Sequence, residues 1–333
     1  MRVLITGATG LLGGELCRQL SKNENYDIKC LVRKKSTTLS PSIEQIIGDI
    51  LDVPSLNKAL ADVDFVIHAA AMVSFHKKDK EDLFLTNVQG TANLTNACDT
   101  HKIQKFIHVS SVAALGKPEN LLNQEKETTI TENNKWQDSP LNSSYAKSKY
   151  LAELEVWRAQ AEGLNTAIVN PSVILGEGEW QKSSTQLFNY VNNGHKFYTN
   201  GSINYVDVQD VAHAIITLLE NEITGERFIL NAGKVSYKDF FNLIAKNFNK
   251  PAPSILLKDK LIAILWRAEA IRSFLTGAKP LITKETSNSA KNNFLFDNTK
   301  VKSQLNIKFQ SIENSIQRVC KYLKEKDKKA TPL

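Results

Sequence analysis

Apolar and polar residues along the first half of the chain follow the pattern of strands that alternate with helices. Short apolar runs typical of buried strands are each followed by a stretch with helical periodicity. The predicted strands cover residues 3–5, 28–32, 46–49, 64–71, 105–110 and 166–170. The predicted helices cover residues 11–20, 55–60, 83–101 and 145–162. This alternation predicts an α/β fold with a doubly wound parallel sheet, covered by helices on both faces.

The pattern is less regular after Gly176. Further strands are predicted at 203–207 and 227–230, and further helices at 210–219, 236–249 and 312–323. Asp210 and Ser311 are the expected N-caps of two of these helices. Residues 261–275 are apolar on almost every side, which indicates burial, a lid over an apolar pocket, or contact with a membrane surface.

Three glycines at three-residue steps follow the first predicted strand. Gly7 permits a tight turn, Gly10 lets the backbone approach a phosphate, and Gly13 lets the next helix pack closely on the strand. The helix N-terminus offers free N–H groups and the positive end of its dipole. Strand, glycine turn and helix together predict a docking site for the pyrophosphate of a dinucleotide.

Composition excludes several other classes of protein. The apolar content of 42% and charged content of 23% are ordinary for a globular protein, and no apolar run or secretory signal suggests a membrane span or export. Four scattered cysteines and six histidines show no metal-ligand spacing, so we expect no metal. The net charge of +7 lies in short lysine clusters without interleaved aromatics, so we expect no nucleic-acid partner. These features favour a cytoplasmic protein.

Seven segments resemble motifs of the extended short-chain dehydrogenase/reductase (NAD-dependent epimerase/dehydratase) family. They are TGATGLLG (6–13), HAAA (68–71), NVQGTANL (87–94), SSVAALG (110–116), YAKSK (145–149), NPSVILG (170–176) and NFLFDNTK (293–300). Within the family, the chain is most similar to the dihydroflavonol 4-reductase and 3β-hydroxysteroid dehydrogenase branch, and sugar-nucleotide epimerases are more distant.

The expected domains are a Rossmann domain and a smaller, mainly C-terminal substrate lobe. The Rossmann domain is expected over 1–175 with returning elements at about 203–231, the lobe over 176–202 and 232–325, and a disordered tail over 326–333. The resemblance also implies a homodimer through helices 83–101 and 145–162.

Tyr145 and Lys149 are four residues apart on a predicted helix and therefore share one face. An ammonium group there is expected to lower the pKa of the tyrosine, which suits it to acid–base chemistry near neutral pH. The resemblance implies that Tyr145 protonates a substrate oxygen after hydride transfer, that Ser111 orients that oxygen, and that Lys149 also holds the nicotinamide ribose.

Further residues are expected to contact the cofactor. These are Gly7, Thr9, Gly10, Leu11, Leu12, Gly13, Arg33, Lys34, Asp49, Ile50, Ala69, Ala70, Ala71, Asn87, Val109, Tyr145, Lys149, Pro171 and Val173. An NAD site usually carries a carboxylate after the second strand, whereas this chain has Arg33 and Lys34 there. A guanidinium can pair with a 2′-phosphate, so NADP is the expected cofactor, with NAD as the alternative.

The second half of the chain indicates an apolar substrate. Its candidate lining residues are Leu187, Phe188, Tyr190, Phe197 and Tyr198. The leading hypothesis is an NADP-dependent reductase of a ketone or aldehyde on a small, fairly apolar substrate, with a carbonyl or alcohol compound as its partner. The alternatives are an NAD-dependent sugar-nucleotide epimerase or dehydratase, and a regulatory protein that binds NAD(P) without turnover.

Overall fold

The described part of the chain contains fourteen strands. The computed structural model describes residues 1–116, 128–180, 184–258 and 294–330. The strands are β1 (Arg2–Thr6), β2 (Asp27–Val32), β3 (Glu44–Ile47), β4 (Phe65–His68), β5 (Lys105–Val109), β6 (Thr128–Ile130), β7 (Thr166–Pro171), β8 (Val173–Leu175), β9 (Phe197–Thr199), β10 (Ser202–Asp207), β11 (Glu226–Leu230), β12 (Gly233–Ser236), β13 (Ile255–Leu257) and β14 (Phe294–Phe296).

Ten α-helices accompany these strands in the same described segments. They are α1 (Leu11–Leu20), α2 (Val53–Leu60), α3 (Lys80–Phe84), α4 (Gly90–Thr100), α5 (Ser144–Ala161), α6 (Thr185–Asn192), α7 (Val208–Glu220), α8 (Tyr237–Phe248), α9 (Thr299–Leu305) and α10 (Ile312–Ala330). A π-helical turn over Leu85–Gln89 joins α3 to α4, so the predicted helix 83–101 is not regular throughout. None of these helices is long and apolar enough to cross a bilayer.

Seven strands form the predicted parallel sheet, in the order β11-β7-β5-β4-β1-β2-β3. Alternate side chains of β1 enter two different cores, as the period of a strand requires. Val3 and Ile5 pack against α1, α7 and α9, whereas Leu4 packs against α2, α4 and α5. Helices therefore cover both faces of the sheet, and the doubly wound fold is confirmed.

A smaller sheet, in the order β12-β10-β8, lies beside the main sheet. Aromatic and aliphatic side chains of α6, α8 and α10 share a core with it, including Phe188, Phe240 and Ile316. The predicted strand 203–207 therefore does not return to the main sheet, because β10 pairs with β8 and β12 instead. Of the returning elements, α7 packs in the first core and β11 joins the main sheet, while β10 contributes Val206 to that core.

Asp207 rather than Asp210 is the N-cap of α7. Its Oδ1 accepts a hydrogen bond from the backbone N–H of Gln209 at 2.8 Å. The predicted N-cap, Asp210, lies within the first turn, and its carboxylate accepts from the backbone of Gln310. Ser311 does accept from the backbone N–H of Asn314, at 3.3 Å.

The last helix extends further than predicted. It runs to Ala330, so residues 326–330 are helical and the expectation of a disordered tail is wrong for them. Asp327 accepts a hydrogen bond from the Trp180 indole at 2.7 Å, which fastens this part of α10 to the smaller lobe. The predicted helix 261–275 and residues 331–333 lie outside the described residues.

Candidate active site

The glycine turn after β1 is packed very closely against neighbouring backbone at the candidate site. Gly7 has a φ of +74°, and a Cβ there would lie 2.7 Å from the backbone of Ala69 and Ala70. A Cβ on Gly13 would lie 2.2 Å from the carbonyl oxygen of Gly7. No side chain fits at either position, so these two glycines allow β1, α1 and the end of β4 to meet.

Gly10 has a different environment. A Cβ there would contact only the Gly7 carbonyl, at 3.2 Å, and the residue is exposed. Thr9 is also exposed and Leu11 is half-buried, whereas the side chain of Leu12 lies in the core. Leu12 can therefore contribute only its backbone N–H to a ligand at this turn.

The residues at this turn fit a dinucleotide pyrophosphate. Helix α1 begins directly after Gly10 and has no acidic side chain in its first turn. Its free N–H groups and dipole face the open side of the turn, where they favour an anion.

The end of β2 carries the residues predicted to distinguish NADP from NAD. Arg33 and Lys34 are exposed directly after β2, which pairs with β1 up to Leu31 beside Thr6. Asp49 Oδ1 accepts from the backbone N–H of Leu51 at 3.0 Å. One oxygen of this carboxylate therefore stabilises a turn, as an ordinary strand-end aspartate does.

Two more predicted cofactor segments lie beside the glycine turn. Ala69, Ala70 and Ala71 follow β4, which ends at His68 rather than at residue 71, and Ala70 N–H donates to the Thr6 hydroxyl at 3.2 Å. Ile50 is buried against Gly90 of α4.

Asn87 connects the segment after β4 to α5. Its Oδ1 accepts from the backbone N–H of Met72 at 2.8 Å, and its Nδ2 donates to the Met72 carbonyl and to the Ser148 hydroxyl, each at 2.9 Å. The amide therefore positions the loop that precedes α3.

The three predicted catalytic residues meet at the carboxyl ends of β5 and β7. Ser111 follows β5, and its side chain lies near the phenol of Tyr145. Lys149, on the same face of α5, is only 2% exposed and donates from Nζ to the carbonyl of Val109 at 2.8 Å. A serine, a tyrosine and a lysine so arranged can transfer a proton to or from a substrate oxygen.

The expected lowering of the Tyr145 pKa is wrong for this structure. Burial raises the pKa of Tyr145, and its interaction with Ser111 offsets this only in part. The ammonium of Lys149 donates to a backbone carbonyl instead of to the phenol. Burial lowers the pKa of Lys149 to about 8, so the lysine is largely charged at pH 7.

Two buried histidines lie on the strands beneath this site. His68 bridges the hydroxyls of Thr6 and Thr91, at 2.7 and 3.0 Å, as expected of a structural histidine. Neither ring nitrogen of His108 has a hydrogen-bond partner in the described part of the chain. Burial lowers the pKa of both imidazoles, so both are neutral.

The predicted nicotinamide and substrate residues differ in their exposure. Val173 is 40% exposed, whereas Pro171 is buried beside β11. Phe188 is buried edge-on against Phe240 in the core of the smaller lobe, so it does not line an open site. Phe197 is exposed, and Leu187, Tyr190 and Tyr198 are half-buried at the margin of that core.

Phe75 is a candidate functional residue that the sequence patterns did not single out. Its ring meets the ring of Tyr145 edge to face, with centroids 5.9 Å apart, and it is 38% exposed. The available signal was an aromatic residue shortly after the run of small residues that follows β4, at the ligand-binding edge of the sheet.

Comparison with known proteins agrees with this geometry. Residues 3–233 match the model of the NAD dependent epimerase/dehydratase family. A Synechocystis sp. protein whose name assigns it to the dihydroflavonol 4-reductases is 27% identical over 323 residues, which are 94% of this chain and 91% of that protein. A 3-beta-hydroxysteroid dehydrogenase from Mycolicibacterium neoaurum is 24% identical over 279 residues, 78% of this chain and 74% of the relative. The crystal structure of UDP-glucose 4-epimerase from Thermotoga maritima with UDP-glucose superposes with a TM-score of 0.79 and 17% identity, over 98% of this chain and 99% of that one, which shows a shared fold.

Alanine substitutions in the glycine turn should separate folding from ligand binding. Gly13→Ala should destabilise the fold by about 1–3 kcal/mol, because its Cβ overlaps the Gly7 carbonyl. Gly10→Ala should destabilise the fold less than Gly13→Ala does, and it should weaken binding of NAD(P)H. Gly14→Ala is the matched control, because its Cβ has ordinary contacts. Urea unfolding and fluorescence titration measure the two quantities, and equal stability of all three variants would contradict the packing argument.

Proposed function

The chain belongs to the NAD-dependent epimerase/dehydratase family, and from that membership we propose that it is an NADP-dependent reductase of a ketone or aldehyde group on a small, fairly apolar substrate. At the coarser level it is an NAD(P)-dependent oxidoreductase of the extended short-chain dehydrogenase/reductase type. The resemblance read from its motifs, including the dihydroflavonol 4-reductase and 3β-hydroxysteroid dehydrogenase branch, is confirmed. The single observation that carries the proposal is that Ser111, Tyr145 and the buried Lys149 come together at the carboxyl end of β5.

The proposed chemistry divides between a cofactor and three side chains. A reduced nicotinamide, when bound, supplies the hydride that forms the new C–H bond at the carbonyl carbon. The phenol of Tyr145 donates its proton to the carbonyl oxygen, and the product is an alcohol. Ser111 donates a hydrogen bond to the same oxygen, and the charge of Lys149 stabilises the tyrosinate that remains. Tyr145 holds its proton at neutral pH, as a proton donor in this direction must.

Two basic residues support NADP as the cofactor. Arg33 and Lys34 are exposed at the end of β2, next to the strand that leads into the glycine turn. A guanidinium offers a fork of donors that matches a phosphate group. The chain has no carboxylate between Cys30 and Ile43 that would instead bind the ribose hydroxyls of NAD.

Phe75 supports an apolar substrate. Its half-exposed ring lies against the catalytic phenol, so a carbonyl compound that reaches Tyr145 passes an aromatic surface. Burial of apolar substrate atoms against this ring would contribute to binding.

The homodimer remains a proposal that derives from the family resemblance. Leu85, in the π-helical turn, and Leu154, on α5, are 50% and 43% exposed. Apolar side chains on the two helical segments expected at a dimer interface support it.

Arg33→Ala should reduce the affinity for NADPH by about tenfold or more, since a charge-assisted pair with phosphate is lost. Its affinity for NADH should stay near that of the wild type. Lys102→Ala is the control, because it removes the positive charge of an exposed lysine far along the chain. Fluorescence titration gives both dissociation constants, and equal binding of the two cofactors by the wild type would refute the NADP assignment.

Tyr145→Phe should lower turnover by about 10²–10⁴-fold, because the proton donor is removed. Binding of NADPH should change little. Tyr150→Phe is the matched control on the same helix, since the Tyr150 ring stacks on Trp136. Steady-state assays and cofactor titration are the measurements, and retained turnover in Tyr145→Phe would remove this residue from the mechanism.

Phe75→Ala should raise KM for apolar ketones and aldehydes by about fivefold or more, while cofactor affinity is preserved. The substrates come from an NADPH-oxidation screen of aldehydes, ketones, flavonoids and steroids. Val73→Ala, a more exposed apolar residue of the same segment, is the control. Thermal stabilisation of several degrees by UDP-sugars, without oxidation of NADPH by any carbonyl compound, would favour the sugar-nucleotide alternative over this proposal.

A further inference from the structure

A buried carboxylate lies one helical turn after Lys149. The side chain of Glu153 is only 1% exposed, and each of its oxygens has its own partner. Oε1 accepts from Asn170 Nδ2 at 2.5 Å, and Oε2 lies 3.2 Å from Nη1 of Arg227. A carboxylate withdrawn from water to this degree stays ionised only when such partners are present.

The partner amide connects this carboxylate to Ser111. Asn170, on β7, uses the same Nδ2 to donate to the backbone carbonyl of Ser111 at 2.9 Å. Asn170 is fully buried, so no water replaces either contact. The position of the Ser111 backbone at the end of β5 is therefore fixed through Asn170 by Glu153.

The charge of the same carboxylate also acts on Lys149. Tyr145 on α5, His68 on β4 and His108 on β5 also surround this lysine, and all three are uncharged near neutral pH. Glu153 raises the pKa of Lys149 and so offsets part of the effect of burial.

Arg227 is held independently of Glu153. From β11 its Nε donates to the backbone carbonyl of Glu132 at 2.8 Å, and its Nη2 donates to that of Asn134 at 2.8 Å. Its positive charge is thereby fixed on the far side of the carboxylate. Arg227 should therefore keep its position when the carboxylate of Glu153 is removed.

We propose that Glu153 is a positioning residue of this active site: it holds the Ser111 backbone through Asn170, and it places a buried negative charge one helical turn after Lys149. The inference rests on the proposed function, in which Ser111, Tyr145 and Lys149 carry the proton transfer. It adds a series of contacts that runs from Arg227 on β11 through Glu153 and Asn170 to Ser111. Its sequence signal was a glutamate four residues after Lys149 on one helix face.

The direct test is a titration of Lys149 that needs no turnover. Carbon-13 NMR of protein labelled at lysine Cε gives the midpoint of each lysine, and Lys149→Met identifies the signal of Lys149. We expect a wild-type midpoint near pH 8. Glu153→Gln should lower it by about 1 pH unit, because the anion one helical turn after Lys149 is lost.

Two further variants complete the design. Glu155→Gln removes a carboxylate from the exposed ion pair with Arg158 on the same helix, and it should leave the midpoint unchanged. Glu153→Asp keeps the charge, so its midpoint should stay close to that of the wild type while turnover falls because Ser111 is displaced. If Glu153→Gln does not fold, the turnover of Glu153→Asp still tests whether Glu153 positions Ser111.

The pH profile of kcat/KM provides the second readout. Its alkaline limb should move in the same direction as the NMR midpoint, to lower pH in Glu153→Gln. A midpoint that is the same in wild type and in Glu153→Gln would overturn the inference. The NMR midpoints are measured without substrate, so they test the inference separately from the activity. Absence of any reductase turnover would overturn the proposed function instead.

Discussion

The architecture depends on backbone contact between the glycine turn and its neighbours. The carbonyl of Gly7 lies where a Cβ of Gly13 would be, and the backbone after β4 lies where a Cβ of Gly7 would be. These two contacts bring the start of α1 and the end of β4 to the same point at the edge of the sheet. In a doubly wound sheet the ligand binds in a crevice at this edge. Here the tightly packed backbone beside that crevice, where no side chain fits, determines which strand ends are adjacent.

Chemistry at this edge requires charged groups that the sheet alone does not stabilise. Lys149 is buried as completely as the aliphatic core residues, and its ammonium is satisfied by the carbonyl of Val109 at the end of β5. Burial moves the pKa of Lys149 towards neutrality and that of Tyr145 away from it. The two side chains that share one helix face are thus tuned by desolvation more than by each other.

The sequence allowed the sheet, its order of strands and helices, and the Ser111–Tyr145–Lys149 set to be predicted, because each rests on local periodicity or on short spacings. It did not allow contacts between distant segments to be predicted. The strand over 203–207 has the same apolar pattern as a strand of the main sheet, and only its pairing with β8 and β12 places it elsewhere. Likewise, Phe75 reaches Tyr145 across a sequence separation that no periodic pattern encodes.

The contacts of Asp207 bear on how the chain folds during its synthesis. This fully buried carboxylate caps α7 and accepts hydrogen bonds from Ser315 and Arg318 of the last helix, at 2.6 and 2.8 Å. During synthesis the ribosome releases α7 about a hundred residues before those partners. Until they arrive, water must take the place of both donors at this carboxylate. The first core also includes Val301, Leu305 and Ile307, so the nascent chain completes it only after these residues have emerged.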